Sequence, residues 1–292
     1  MRLFELKMRM TTIKQHKSCI CTTIRQSSAV NHSEDPVLQD LMRGLQKEAP
    51  PPRTAVPAWD LNVVLEALSK PPFEPLNEVD LQHLTFKTVF LVAWGTAARV
   101  SELHALSMDA NHLRFEQTNK WLEMTAAMEF LAKNQRATQP PRKFRLQALT
   151  TKGHGKGAAK ILCPVRAVRI YLDRTKFHRR DRKKLFISTF KKAEKDVGIR
   201  TIARWLRETI TECYRMQAPQ DMSDAKGAHA HQVRALAASL AVAGHRPIKE
   251  VMKAAYWKSE SCFTKFYLKD MAKYQNQNTG RSTVAASVSL DI

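Results

Sequence analysis

The chain has 292 residues, and its 48 Lys and Arg against 27 Asp and Glu give a formal net charge of +21. A field of this sign attracts polyanions rather than acidic small molecules, so nucleic acid is the expected partner. No apolar run approaches the roughly 20 residues of a transmembrane helix, and the first residues lack the apolar core of a secretory signal. We therefore expect an intracellular protein with no membrane association and no small-molecule substrate.

Five cysteines are spread along the chain, without a Cys-x-x-Cys pair and without histidine at zinc-finger spacing. They are Cys19, Cys21, Cys163, Cys213 and Cys262. This pattern predicts free thiols and no structural zinc.

A proline-rich stretch separates two parts of the chain. "PPPRTAVP", residues 50–57, stops any helix and extends the backbone, so residues 51–57 are the expected linker. Residues 1–50 are polar and predict helices in "TTIKQHKSCICTTIRQ" and "DPVLQDLMRGLQKEA". Residues 58–275 form the larger expected domain, and residues 276–292 form a polar tail that we expect to be disordered.

The larger domain begins and ends with predicted helices. Asp60 caps a helix in "WDLNVVLEALSK", and "DLQHLTFKTVFLVAWGTAAR" carries an apolar face up to a break at Gly95. A change of period then predicts two antiparallel strands, "WLEMTAAMEFLAK" and "RKFRLQAL", joined by a Pro-rich loop. Helices return in "PVRAVRIYLDRTK", "IRTIARWLRETITECY", "AHQVRALAASLAVAG", "PIKEVMKAAY" and "SESCFTKFYLKDMAKY". The predicted fold class is mainly α with a small antiparallel β-sheet.

Two pairs of polar residues share helix faces at a spacing of three. Arg99 begins a predicted helix in "TAARVSELHAL", and the carboxylate of Glu102 can hold its guanidinium in place. His231 and Arg234 have the same spacing in "HAHQVRALAASLA". Each pair alone is typical of an ordinary helix, so neither identifies a site by itself.

Together, the order Arg, Lys within a sheet, His-x-x-Arg, Trp and a C-terminal Tyr resembles the tyrosine recombinase (phage integrase) family. "ARVSEL" resembles its first arginine box, "HQVR" its second, and "WKSESCFTKFY" the segment that leads to its nucleophile. "LCPVRAVRIYL" and "FTKFYL" are similar to recombinases of eukaryotic mobile elements, including DIRS-type retrotransposons. The resemblance implies the family's catalytic-domain fold in residues 58–275, preceded in residues 1–50 by a partial, shortened helical core-binding domain.

The resemblance implies DNA cleavage by Tyr267 through a 3′-phosphotyrosine intermediate. A phenol suits this role because its pKa of about 10 makes it a better leaving group than an alcohol. Arg99 and Arg234 are the implied clamp on the nonbridging phosphate oxygens, with Glu102 supporting the clamp.

The remaining implied catalytic residues act on protons and on the phosphate. His231 helps to position the reacting groups or to remove a proton. Trp257 donates its indole N–H to the phosphate. A lysine protonates the departing 5′ oxygen as general acid. Lys133 in "FLAKNQ" is preferred for this role, and Lys152 in "TTKGHGKG" is the alternative.

A basic run at residues 179–184, "RRDRKK", is the expected DNA contact outside the active site. Its basic residues are Arg179, Arg180, Arg182, Lys183 and Lys184. Such a run is also typical of a solvated loop or of a nuclear-import signal.

We expect a DNA recombinase or integrase of a mobile element that binds double-stranded DNA and works as a homotetramer, in the nucleus if the host is eukaryotic. It needs no metal or other cofactor, because arginines supply the positive charge. Topoisomerase-like relaxation uses related chemistry and stays open. One alternative is a catalytically inactive DNA-binding relic of a mobile element. Another is a basic nucleic-acid-binding protein in which Phe266 and Tyr267 are packing residues; it places Arg99, Arg234 and Tyr267 far apart.

Overall fold

The computed structural model describes residues 2–28, 30–49, 57–133, 135–149, 160–188 and 196–266. Two compact units divide the chain, Met1–Ala55 and Val56–Ile292. Most of the predicted linker, Lys152, Tyr267 and the tail at residues 276–292 lie outside the described residues. Within the described ranges, no helix combines the length and apolar character needed to cross a membrane.

The first unit is helical in its described part. Its helices are α1 (Arg2–Glu5), α2 (Met10–Ser28) and α3 (Pro36–Glu48), with a 3-10 turn at His32–Glu34. Asp35 caps α3 by accepting the main-chain N–H of Leu38 at 3.1 Å. Met10, Ile13 and Leu45 form a small apolar cluster. The two helices that the sequence predicts here correspond to α2 and α3.

The second unit contains the sheet and the remaining described helices. Its helices are α4 (Leu61–Leu68), α5 (Leu81–Thr96), α6 (Val100–Ala105), α7 (Pro164–Arg179), α8 (Ile199–Gln217), α9 (Met222–Lys226), α10 (Ala230–Ala243), α11 (Ile248–Ala254) and α12 (Glu260–Phe266). Its strands are β1 (Leu113–Phe115), β2 (Trp121–Thr125) and β3 (Lys143–Gln147), which form an antiparallel sheet in that order. The predicted mainly α fold with a small antiparallel sheet is confirmed.

Helix α5 runs through the core of the second unit. Every residue from Leu84 to Thr96 is buried, which is expected of a helix that is apolar on nearly all sides. The helix packs against α7 and α8 and continues through Gly95, where the sequence predicts a break. It ends at Thr96, and the capping residue Ala97 that follows has a left-handed φ of 47°. This turn leads the chain into Arg99 and the start of α6.

The three-stranded sheet turns one face to this core. The buried hydrophobic residues of β2 and β3 are Leu122, Met124, Phe144 and Leu146. In the strand register, Leu122 lies opposite Leu146 and Met124 lies opposite Phe144. Because successive side chains in a strand alternate between faces, Lys143 and Arg145 lie on the opposite face.

Strand β2 is shorter than the strand predicted for residues 121–133. It ends at Thr125, and the main-chain N–H of Ala126 then bonds to the carbonyl of Arg142 at 3.0 Å. We call residues 126–142 the β2–β3 connection. That hydrogen bond closes its base and holds its two ends together.

A buried ion cluster ties α5 to α7. Nζ of Lys87 lies 2.6 Å from Oε1 of Glu74, and Arg166 bonds both oxygens of the same carboxylate at 2.9 and 3.0 Å. Burial lowers the pKa of Lys87 to about 8, although the hydrogen bond and charge of Glu74 oppose the shift. Burial alone would raise the pKa of Glu74, but its hydrogen bonds with Arg166 and Lys87 hold it below the usual value.

Glu74→Gln should lower the free energy of unfolding by about 3 kcal/mol, because it leaves Lys87 and Arg166 without their shared carboxylate. Lys87→Met should cost about 1 kcal/mol, since Glu74 keeps its two bonds to Arg166. Urea denaturation at pH 7 measures the free energy of unfolding of both variants. Equal losses would contradict the assignment of Glu74 as the carboxylate that holds both Lys87 and Arg166.

The stability of the wild type relative to Lys87→Met should also depend on pH. Above the folded pKa of about 8, the folded chain has lost the Lys87 proton while the unfolded chain, with its pKa of 10.5, still holds it. The wild type therefore gains stability relative to the variant between pH 8 and 10. A constant difference over that range would show that Lys87 titrates normally.

Candidate active site

The site is built around the buried carboxylate of Glu102. Arg99 precedes α6, and its main-chain N–H donates to Oε2 of Glu102 at 2.7 Å while its Nη1 donates to Oε1 at 2.9 Å. Glu102 is 0% exposed, whereas the side chain of Arg99 is 18% exposed. Because Arg99 and Glu102 are three positions apart, the buried acid can hold the guanidinium of Arg99 near the protein surface.

Arg234 reaches the same carboxylate from helix α10. Its Nη1 lies 3.6 Å from Oε2 of Glu102 and donates to the carbonyl of Ala97, and its Nη2 donates to the carbonyl of Ala255 at 2.7 Å. The residue is 1% exposed. Arg99 and Arg234 thus converge on one acid, whereas the distance from either arginine to Tyr267 lies outside the described residues.

Trp257 lies directly against this arginine. The Cζ atom of Arg234 is 4.0 Å from the centre of the Trp257 ring, a distance at which a cation is attracted to the ring face. Phe263 of α12 packs on the same indole, with ring centres 4.8 Å apart. Trp257, the predicted indole donor to the phosphate, is therefore next to the second predicted arginine, and it is also part of the core.

A third arginine, Arg142, joins the cluster, although no motif in the sequence pointed to it. Its Nη1 donates to Oε1 of Glu102, and its Nη2 donates to the carbonyl of Lys133 at 3.0 Å. Burial lowers the pKa of Arg142, and the attraction of Glu102 opposes that shift. The alternation of buried residues in β3 indicates that Arg142 is buried, because it is in phase with the buried Phe144 and Leu146.

The cluster carries more positive than negative charge. Three guanidinium groups, those of Arg99, Arg142 and Arg234, lie within ion-pair distance of the one carboxylate of Glu102, which leaves an excess of 3 − 1 = 2 positive charges within the cluster. Arginine keeps its charge in proteins. An arrangement of this kind favours the arrival of an anion, and a phosphodiester fits the forked donors of arginine.

The other predicted catalytic residues differ in how the structure places them. Lys133 lies in the β2–β3 connection. Its carbonyl accepts a hydrogen bond from Arg142, and its side chain is exposed. His231 is exposed in the first turn of α10, one turn before Arg234. The predicted nucleophile Tyr267 and the alternative lysine Lys152 lie outside the described residues.

Most of the basic run at residues 179–184 is tied to the protein. Arg179 is buried, and its guanidinium donates to the carbonyls of Lys184 and Leu185 at 3.0 and 2.9 Å. It therefore serves the fold, which departs from its predicted role in DNA contact.

The other members of the run differ in exposure. Arg182 is partly buried and donates to the carbonyl of Ser188 at 2.9 Å. Nζ of Lys184 lies 2.7 Å from Nε2 of His104, and burial together with this lysine's charge lowers the pKa of His104. Arg180 and Lys183 are exposed. These two side chains are the members of the run that face solvent most freely.

No metal site accompanies the cluster in the described part of the chain. There, no group of three or more His, Cys, Asp or Glu side chains is arranged to hold a metal ion. The positive charge at the described site comes from arginine side chains.

Comparisons with known proteins give matches among solved structures only, and 15 solved chains match. No family model matches the chain, and a search of the curated proteins finds no match. Among solved structures, the chain is similar to XerA recombinase, with a TM-score of 0.47 and 14% sequence identity over 90% of this chain and 79% of that chain. A likeness at this level leaves the assignment of function to the side-chain geometry.

Glu102→Gln should lower the free energy of unfolding by about 3 kcal/mol, because the three arginines lose the charge that holds them together. In a domain of this size, such a loss corresponds to a fall in Tm of roughly 6–12 °C. Calorimetry measures it. Glu123→Gln is the control, since Glu123 is paired at 3.5 Å with the exposed Lys143, and it should cost less than about 1 kcal/mol. Equal effects would show that the charge of Glu102 does not organise the site.

Proposed function

We propose that this protein is a DNA strand-cleaving and rejoining enzyme of the tyrosine recombinase type. The observation that carries the proposal is the convergence of Arg99 and Arg234 on the buried carboxylate of Glu102. The sequence resemblance predicts these two residues as a phosphate clamp, and their geometry is consistent with that role. The net charge of +21 supports DNA as the substrate.

In the proposed reaction, the arginine clamp holds one phosphodiester and stabilises the charge that develops on its nonbridging oxygens. The phenol oxygen of Tyr267 attacks the phosphorus and gives its proton to the imidazole of His231. An O–P bond forms, and the bond from phosphorus to the 5′ oxygen breaks. The ammonium of Lys133 gives its proton to the departing 5′ oxygen. A DNA hydroxyl later reverses the step, so the energy of the bond is kept in the phosphotyrosine.

The described tyrosines support the choice of a nucleophile near the C-terminus. The chain has five tyrosines. The hydroxyls of Tyr171 and Tyr214 accept the main-chain N–H groups of Ile187 and Asp60. The hydroxyl of Tyr256 bonds both main-chain groups of Lys143 at 2.9 Å.

Ionisation of these three phenols is also disfavoured. Burial raises the pKa of each one, although nearby hydrogen bonds oppose the shift. A phenol that is held by the main chain and resists ionisation is a poor nucleophile. Tyr267 and Tyr274 are the remaining candidates, and the resemblance selects Tyr267.

The finer parts of the proposal rest on the sequence resemblance alone. They are a DIRS-type mobile element as source, recombination and integration as outcome, a homotetramer on DNA, and action in the nucleus. The competing proposal is a DNA-binding relic that no longer cleaves. The burial of Arg234, at 1% exposure, favours this second proposal, because a phosphate reaches such a guanidinium only by close approach.

Tyr267→Phe should abolish a covalent protein–DNA adduct that the wild type forms. The substrate is a nicked duplex built from DNA that flanks the gene, on which cleavage releases a short strand and traps the phosphotyrosine. A denaturing gel measures the adduct. Tyr256→Phe and Tyr274→Phe are matched controls that should keep it, and loss only in Tyr274→Phe would overturn the assignment of Tyr267. Salt-sensitive binding without any wild-type adduct would favour the inactive relic.

Arg180→Gln combined with Lys183→Gln should reduce the salt dependence of DNA binding. If both exposed side chains contact phosphate, the slope of log K against log salt falls by about 2, because each contact releases about one counterion. Fluorescence anisotropy from low to high salt measures the slope. Arg204→Gln combined with Arg215→Gln removes the same charge from helix α8, where both arginines pair with glutamates. Equal slopes in the two double variants would remove the basic run from the interface.

A further inference from the structure

Arg142 contacts three separate segments of the second unit with one guanidinium group. Its Nη1 donates to Oε1 of Glu102, the oxygen that also accepts Nη1 of Arg99 at 2.9 Å. Its Nη2 donates to the carbonyl of Lys133 at 3.0 Å. Its Cζ lies 4.5 Å from the centre of the Tyr256 ring. The residue therefore links the first arginine, the β2–β3 connection and the segment that enters α12.

Arg142 is itself held firmly in place. It is 5% exposed, and its carbonyl accepts the N–H of Ala126 at 3.0 Å. The next residue, Lys143, is bonded through both main-chain groups to the hydroxyl of Tyr256 at 2.9 Å. A planar guanidinium with several donors can bond a carboxylate and a carbonyl in fixed directions, which a lysine ammonium cannot reproduce. The contacts therefore fix where the main chain of Lys133 lies relative to Glu102.

We propose that Arg142 is a positioning residue for Lys133, the general acid of the proposed function on which this inference rests. The bond from Arg142 to the Lys133 carbonyl holds the β2–β3 connection beside the arginine cluster. From that position the Lys133 ammonium delivers its proton to the 5′ oxygen as the bond between phosphorus and that oxygen breaks. Arg142 acts through Lys133 and does not touch the departing oxygen.

A change of leaving atom separates this role from a role in the phosphate clamp. In a duplex whose bridging 5′ oxygen is replaced by sulfur, the leaving group departs as a thiolate. An ordinary thiol has a pKa of about 8.5, so its departure does not require a general acid. A defect that operates through Lys133 disappears on the sulfur duplex, whereas a defect in the clamp remains.

The experiment compares adduct formation on nicked duplexes with oxygen or sulfur at the scissile bond. Arg142→Met should slow the reaction on the oxygen duplex by about 10–100-fold and return close to the wild-type rate on the sulfur duplex. Lys133→Ala should show the same pattern with a larger defect on oxygen, and Arg142→Lys should be intermediate. Arg99→Met should be slow on both duplexes because it damages the clamp.

Arg174→Met is the matched structural control. The guanidinium of Arg174 also donates hydrogen bonds to main-chain carbonyls, those of Leu76 and Val79. Any loss of activity in this variant should be equal on the two duplexes. If Arg142→Met is equally slow on oxygen and sulfur, the positioning role is overturned. Rescue by sulfur of Lys152→Ala but not of Lys133→Ala would also overturn it, because Lys152 would then be the acid.

Amide hydrogen exchange tests the anchoring without DNA and without activity. In Arg142→Met, amides in the β2–β3 connection around Lys133 should exchange at least about tenfold faster, and in Arg174→Met they should not. Unchanged exchange in Arg142→Met would overturn the anchoring even in an active enzyme. If the wild type forms no adduct on either duplex, the proposed function fails and the catalytic role of Arg142 fails with it. The exchange measurement still decides separately whether Arg142 holds the segment.

Discussion

The burial of Glu102 is the constraint on which the site depends. A carboxylate at 0% exposure is costly unless opposite charges and hydrogen-bond donors surround it, and here three arginines from three parts of the second unit do so. Because one acid cannot neutralise three guanidiniums, the same contacts that hold the fold also leave positive charge at the site. Stability and anion affinity therefore come from one set of interactions.

The core helix α5 decides where this cluster forms. The helix is buried along most of its length, so its end is fixed, and the left-handed turn at Ala97 places Arg99 directly after it. The carbonyl of Ala97 also accepts a hydrogen bond from Nη1 of Arg234, and the carbonyl of Ala255 accepts one from its Nη2. Main-chain groups that belong to the fold thus orient the side chain, so that in the proposed enzyme less reorganisation is required when a phosphate arrives.

Local patterns in the sequence predicted most of the helices, because periodicity and caps act over a few residues; Asp60, for example, caps α4 as expected. The end of β2 at Thr125 was not predictable in this way, since apolar residues continue beyond it in "AAMEFLA". Arg142 itself was missed because its acidic partner lies 40 positions away. The sequence predicts Arg179 to contact DNA, but this side chain is buried, because a basic run in a sequence does not reveal which member folds inward.

Burial divides the positive charge of this protein into two kinds. Exposed residues such as Arg180 and Lys183 contribute to a long-range field that attracts polyanions and is screened beyond about 8 Å at physiological ionic strength. Arg142 and Arg234 are nearly inaccessible to solvent, so salt screens their interactions much less. In the proposed enzyme, salt therefore weakens the encounter with DNA far more than it weakens the hold on the scissile phosphate. A phosphate that has entered the cluster meets arginines whose directions the fold has already set.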